Sequence, residues 1–292
     1  MVSMYQIKMK ECEKMGKYHI ERNTVQETLI IPLYGRKVCS EKFPELFNDP
    51  ESERIISMLD YDFSEKGKKM YGTAGLYGAL EVAQRQYDLM CEVREYLKDH
   101  PRAAVVNLGC GLDAAFRQVD NGSCRGYNLD FPDVIKIRND LLPAGDREKN
   151  IPCDLNDSSW FNEIDGTEGA VFFAAGVFYY FRTEDVIRLF DKMAEHFPGG
   201  ILVFDACNKR GVKLMLKTWI KEADIKDVRA YFAVKDAEKE LLPRSSHFAE
   251  VSRKSYMRGY RNIDKSIRPL YRLLNTLCDR LINMQIVKIR FR

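Results

Sequence analysis

The run Val105-Val106-Asn107-Leu108-Gly109-Cys110-Gly111-Leu112-Asp113 constrains the fold of this chain more than any other segment. Two β-branched residues lead into a Gly-x-Gly turn, after which residues 112–119 predict the start of a helix. The glycines let the backbone turn sharply and leave room for a ligand where a Cβ would intrude. A second apolar run, Tyr127-Asn128-Leu129-Asp130, ends in an acid nineteen positions after Gly111. A carboxylate there, on the next strand, reaches a ribose 2′-hydroxyl. Together these residues describe a strand–turn–helix–strand unit that binds a nucleoside.

The rest of the chain supports a large α/β domain around that unit. Before His100-Pro101 the sequence is mixed and helical, with an amphipathic stretch over residues 80–97 carrying Leu80, Ala83, Tyr87, Met90, Cys91 and Val93 on one side. After Pro101, short β-branched runs alternate with helices: strands over 103–108, 125–129, 150–153, 169–175 and 201–205, helices over 131–141, 183–197 and 212–220. Thr183 is the expected cap of its helix. A sixth strand is expected over 227–234 and a last one over 284–291. The alternation predicts a class of fold with a seven-stranded, mostly parallel sheet covered by helices on both faces. The expected division is a helical cap segment over residues 1–100, a core over 101–234, a helical cap insertion over 235–283 and a final core strand over 284–292.

With 45% hydrophobic residues the 292-residue chain can fill such an interior, and a net charge of +3 excludes a general polyanion binder. The last forty-two residues hold eleven Lys or Arg against Asp264 and Asp279, read first as a solvated helix face and a guarded edge strand. Eight cysteines stand singly, which fits reduced thiols better than disulfides or zinc. Residues 1–17 lack the apolar stretch of a signal peptide, and no window is apolar enough for a membrane span. A cytoplasmic protein acting on a small molecule, with no metal, nucleic acid or membrane partner, is expected.

The turn itself is formally G-x-G-x-x-A, so a dinucleotide stays open. Two features favour S-adenosylmethionine: the unit sits mid-chain behind a helical prelude, and a third strand ends in Cys153-Asp154-Leu155. Asp154 would accept from an adenine amine while Leu155 flanks the ring. Equally, Asp154 would cap a helix over 156–161.

Longer motifs then carry a resemblance. They are Glu27-Thr28-Leu29-Ile30-Ile31-Pro32-Leu33-Tyr34-Gly35-Arg36, Asn48-Asp49-Pro50, Asp60-Tyr61-Asp62-Phe63, His100-Pro101, Val105 to Asp113, Asp130-Phe131-Pro132-Asp133-Val134-Ile135 with Arg138, and Gly176-Val177-Phe178-Tyr179-Tyr180-Phe181. From about residue 24 onward the chain resembles the leucine carboxyl methyltransferases and the related bacterial polyketide carboxyl O-methyltransferases of tetracenomycin type. The resemblance implies a class I methyltransferase core binding S-adenosyl-L-methionine. Carried over by position, Asn107, Gly109 and Gly111 belong to the cofactor loop, Asp130 would hold the ribose, and Asp154 and Leu155 would bracket the adenine. Arg85 would pair with the cofactor's carboxylate, its plain alternative being a surface pair with Asp88. Three positions depart from the family: Ala114 and Ala115 replace a hydroxyl and a cation, and Ala175 replaces a carboxylate beside the cofactor.

Methyl transfer needs alignment and exclusion of water more than acid–base chemistry. A carboxylate acceptor, ionised near neutral pH, needs no base, whereas a phenol would want one. Tyr34, Arg36, Tyr179, Tyr180, Asp205 and His247 are the expected acceptor-side residues; no catalytic residue is assigned. His19 is a further free histidine, while His100 and His196 read as structural. The expectation is an O-methyltransferase acting on a carboxylate of a small acidic or polyketide-like metabolite. The alternatives are a cofactor-binding protein that has lost catalysis, motivated by the three alanines, and an NAD-dependent oxidoreductase.

Overall fold

The computed structural model describes residues 17–20, 25–217 and 231–292. Chain order gives α1 (Val25–Lys42), α2 (Pro50–Ser57), α3 (Thr73–Asp99), β1 (Ala104–Leu108), β2 (Arg125–Asp130), α4 (Pro132–Leu141), β3 (Glu148–Pro152) and β4 (Ala170–Ala174). Then follow α5 (Thr183–His196), β5 (Ile201–Ala206), α6 (Lys209–Met215), β6 (Phe248–Ser255), α7 (Pro269–Leu277) and β7 (Gln285–Phe291). The strands form one seven-stranded sheet in the order β3-β2-β1-β4-β5-β7-β6. Pairings among β1 to β5 are parallel, and β7 runs antiparallel to both β5 and β6.

The central strands are buried along their whole length because helices cover both faces. Successive side chains alternate between two cores. Val106, Phe172 and Phe204 meet α5 through Val186, Phe190 and Met193. Val105, Phe173 and Val203 meet α3 through Leu80, Ala83, Met90 and Val93. Burying about a dozen such side chains on each face, at roughly 1.5–3 kcal/mol each, is the main favourable contribution to this architecture.

Helix α1 lies close on α3, and the backbone of Gly35 leaves only 3.7 Å between a would-be Cβ and Ala79 Cα. Its other side joins Leu112, Ala114 and Ile137 in a third cluster, so α1 covers the loop after β1. Asp49 starts α2 by accepting from the Ser52 backbone N–H at 3.0 Å.

Several elements differ from the expectations. Residues 112–119 form no α-helix. Asp113 Oδ1 accepts from Ala115 N and from Asn107 Nδ2, and only a 3₁₀ turn follows at Ala115–Gln118. Phe116 then folds over Gly126, where a Cβ would come within 2.5 Å of its ring. The helix at 183 is preceded by Arg182 at the cap position, and Thr183 lies inside the helix without capping it. Residues 231–234 are not a strand, and 227–230 and 218–220 lie outside the described residues. The sheet takes its remaining member from β6, within the 235–283 segment expected to be helical. The ladder of β6 on β7 shifts register between Phe248 and Glu250, so its buried residues Phe248 and Val251 fall three apart. That bulge breaks the period-two pattern by which a strand is read.

The basic residues of the last segment are largely internal ties. Lys254 and Lys288 both donate to the buried Glu92, and Arg258 binds Asp264 and Thr276. Arg261 lies 3.7 Å from the Tyr87 ring centre and donates to the Leu46 carbonyl. Among the described residues no helix is long and apolar enough to cross a membrane, and no three His, Cys, Asp or Glu group as for a metal ion.

Candidate active site

Beyond the carboxyl ends of β1, β2, β4 and β5 lies a cavity of 1590 Å³, larger than a drug-sized ligand requires. Its floor is the glycine turn. Gly109 and Gly111 have φ of +67° and +48°, the left-handed region, and a Cβ on Gly109 would meet Val177 Cγ2 at 2.5 Å. Cys110 N–H bonds the Leu129 carbonyl, and Arg138 Nη1 donates to the carbonyls of Gly111 and Asp113 at 2.9 and 2.7 Å. Buried Arg138 thus pins the turn from behind.

Asp130, at the end of β2, accepts from Gly111 N through Oδ2 and from Phe131 N through Oδ1, both at 2.8 Å. Burial pushes its carboxyl above the ordinary carboxylate range, against the opposing pull of those two backbone donors. Phe131, Val134, Cys153, Leu155 and Asn156 line the cavity beside it and form an apolar slot.

A second polar group stands at the ends of β4 and β5. Arg85 Nη1 donates to Asp205 Oδ2 at 3.1 Å, Tyr179 donates to the same oxygen at 3.0 Å, and Gly176 N–H donates to Oδ1 at 2.6 Å. Gly176 has φ +75°, and a Cβ there would sit 2.7 Å from Arg85 Nη1. Burial opposes the Arg85 charge, and the Asp205 carboxylate more than restores it. Arg85 Nε is buried without an acceptor, an orphan donor on a guanidinium at the cavity wall.

Eleven of the fourteen expected site residues meet on this one cavity: Arg85, Gly109, Gly111, Asp130, Leu155, Ala175, Tyr34, Arg36, Tyr179, Tyr180 and Asp205. Besides Asp130 and the Arg85–Asp205–Tyr179 group, Tyr34 and Arg36 are also engaged. Tyr34 stacks on Phe63 with ring centres 4.7 Å apart. Arg36 bonds Asp49 Oδ2 at 2.8 Å and reaches the Leu112 carbonyl at 3.4 Å, so it ties α1 to the turn.

Three lie elsewhere, which corrects their expected placement. Asn107 is buried on β1 behind the cavity wall, and its Nδ2 donates to Asp113. Asp154 is exposed and accepts from the backbone and side chain of Asn156, its neighbours Cys153 and Leu155 facing the cavity instead. His247 precedes β6 at the opposite edge of the sheet and pairs with Asp191 at 3.0 Å.

Glu81 and Tyr77 were missed. They stand one and two turns before Arg85 on α3, and all three line the cavity. Their i, i+4, i+8 spacing was the available signal. The departures also find their places. Ala114 and Ala115 are buried in cores and absent from the cavity wall, while Ala175, on the wall, follows Ala174, the last residue of β4 paired with β5.

This constellation fits a sulfonium nucleoside cofactor: an orphan guanidinium donor for a carboxylate, an acid at the ribose position and an apolar slot for adenine. The leucine carboxyl methyltransferase family model matches residues 37–194, just over half of the chain. The chain belongs to the leucine carboxyl methyltransferase family. Leucine carboxyl methyltransferases draw their methyl group from S-adenosyl-L-methionine, and this member has their class I methyltransferase fold. It is 28% identical over 183 residues to the tetracenomycin polyketide synthesis O-methyltransferase TcmP of Streptomyces glaucescens, covering 62% of this chain and 66% of that relative. It is 25% identical over 208 residues to the S-adenosyl-L-methionine-dependent methyltransferase dpfgK of Gibberella zeae, covering 66% of this chain and 69% of the other. In fold it is similar to a DUF574 family protein from Streptomyces avermitilis, with a TM-score of 0.55 at 14% identity over 81% of this chain and 94% of that one. A candidate methyltransferase from Thermobifida fusca gives 0.53 at 15% identity over 73% and 82%.

Proposed function

We propose that this family member is an S-adenosylmethionine-dependent O-methyltransferase acting on a carboxylate of a large, mainly apolar metabolite. The observation that carries the reading is the single cavity that joins the cofactor-type groups to an apolar chamber. Gly109, Gly111, Asp130, Leu155 and Arg85 line the same cavity as Leu274, Met215, Met284, Tyr180 and Tyr256. When bound, S-adenosylmethionine supplies an electrophilic methyl on a sulfonium. Arg85 would bind the cofactor's carboxylate, Asp130 its ribose, and the Phe131–Leu155 slot its adenine. Asp205 and Tyr179 orient Arg85, and the apolar chamber holds the acceptor and excludes water. An acceptor carboxylate is already ionised and needs no proton removed. The relative named for tetracenomycin polyketide synthesis supports an acceptor with a large ring scaffold.

The test is methyl transfer from S-adenosylmethionine to matched aromatic acids and phenols of two to four rings. Methyl esters from the acids, with the phenols untouched, are expected. Methylation of the phenols alone overturns the carboxylate assignment. Tight binding of S-adenosylhomocysteine with no transfer to either set would favour a protein that binds the cofactor without catalysis.

A further inference from the structure

Glu81 has no assigned part in binding the cofactor, yet it lies on the cavity wall one turn from Arg85. Among the described residues, its one side-chain hydrogen bond is from the Cys278 thiol to Oε1, long at 3.9 Å. Arg85, the cation that faces it, gives its Nη1 to Asp205. The other groups around it are neutral. Burial raises the Tyr77 and Tyr256 phenols, and pushes the thiols of Cys278 and Cys207 up to about 11 and 12. Tyr256 donates to the Glu81 backbone carbonyl, leaving the carboxyl itself free for the cavity. Asp88, two turns along α3, accepts from Gln84 and is not on the wall. Leu274 and Ile282, one turn either side of Cys278, make the adjoining wall apolar.

A carboxyl so placed is costly to ionise, and burial pushes it up to about 7. We infer that Glu81, in its uncharged form, donates a hydrogen bond to the acceptor's carboxylate and so selects an acid carried on an apolar body. The inference rests on the carboxylate reading above. The proton stays on Glu81 throughout, because a carboxylate acceptor surrenders none. Glu81 therefore acts in binding and positioning, and an ionised Glu81 repels the same acceptor.

The test uses the protein saturated with S-adenosylhomocysteine and two probes, 2-naphthoate and 2-naphthol, titrated by calorimetry at pH 6 and pH 8. The probe acid is ionised at both values, while the protonated fraction of a group near 7 falls from about nine tenths to about one tenth. Naphthoate affinity is expected to fall about tenfold over that range in the wild type. In Glu81→Gln, whose amide still donates, affinity should stay near the pH 6 value at both. Infrared difference spectra between the two proteins should show a protonated carboxyl that fades by pH 8. Naphthoate affinity that is flat or rising with pH in the wild type overturns the donor role and leaves the carboxylate reading standing. Naphthol bound with naphthoate refused at both pH values overturns the carboxylate reading, and the donor role with it.

Discussion

Gly176 shows how narrow the tolerance is around Arg85. Its positive φ and the guanidinium 2.7 Å from where a Cβ would stand mean that Gly176→Ala both strains the backbone and displaces the arginine. We expect a loss of about 1–2 kcal/mol in urea denaturation, and at least a tenfold weaker S-adenosylhomocysteine titration. Glu81 gives a prediction with a pH sign. Its folded-state carboxyl is raised from the ordinary 4.5 to about 7 by burial. The unfolded chain then ionises first, so stability is complete below about pH 4 and declines as pH rises toward 7. Removing the acid removes that decline. Glu81→Gln should therefore melt several degrees above the wild type at pH 8 and level with it at pH 4, by differential scanning calorimetry. A lower Tm at pH 8 would show that the carboxylate is paired in the fold.

Between elements, Asp49 is the joint. One oxygen caps α2 through Ser52 N and the other holds Arg36 of α1, which in turn touches the Leu112 carbonyl on the turn. Asp49→Ala removes a cap and strands a buried guanidinium, a combined cost of about 2–4 kcal/mol readable in the denaturation midpoint. How far these elements can be read from the chain follows from which forces shape them. Strands β1, β4 and β5 are continuous apolar runs because both their faces are covered, and each is legible within two residues. Strand β6 is not, because its bulge moves Val251 out of phase with Phe248. The helix expected after Gly111 fails because Asp113 spends its carboxylate on Ala115 N and Asn107, and Phe116 is drawn onto Gly126. In the site, glycines and strand-end acids are legible since their spacing is local. Glu81 is not, because a charged residue on a long amphipathic helix looks like its solvent face until Tyr256 and Cys278 pack against it. For Asp154 the local alternative is the nearer one: it accepts from Asn156 N, while the turn that follows is capped by Asp157.

At the level of the molecule, the cofactor should act as a staple. Its contacts would come from α3, the loop after β1, the end of β2 and the loop after β3, so binding the folded form alone shifts the whole equilibrium. At a hundredfold excess over Kd, S-adenosylhomocysteine contributes about 2.7 kcal/mol, and Tm should rise by about 5–10 °C. NAD at the same concentration should leave it unchanged. An equal rise with NAD would reopen the dinucleotide assignment of the glycine turn. The sheet order carries one more consequence. Strand β7, residues 285–291, sits between β5 and β6 and is, among the described residues, the only strand that β6 pairs with. During synthesis β6 therefore has no ladder to join until some forty residues more have left the ribosome. The wall formed by Leu274, Cys278 and Met284 closes at the same late moment. A ribosome stalled within that interval would display an open, apolar half-pocket to the chaperones of the cell.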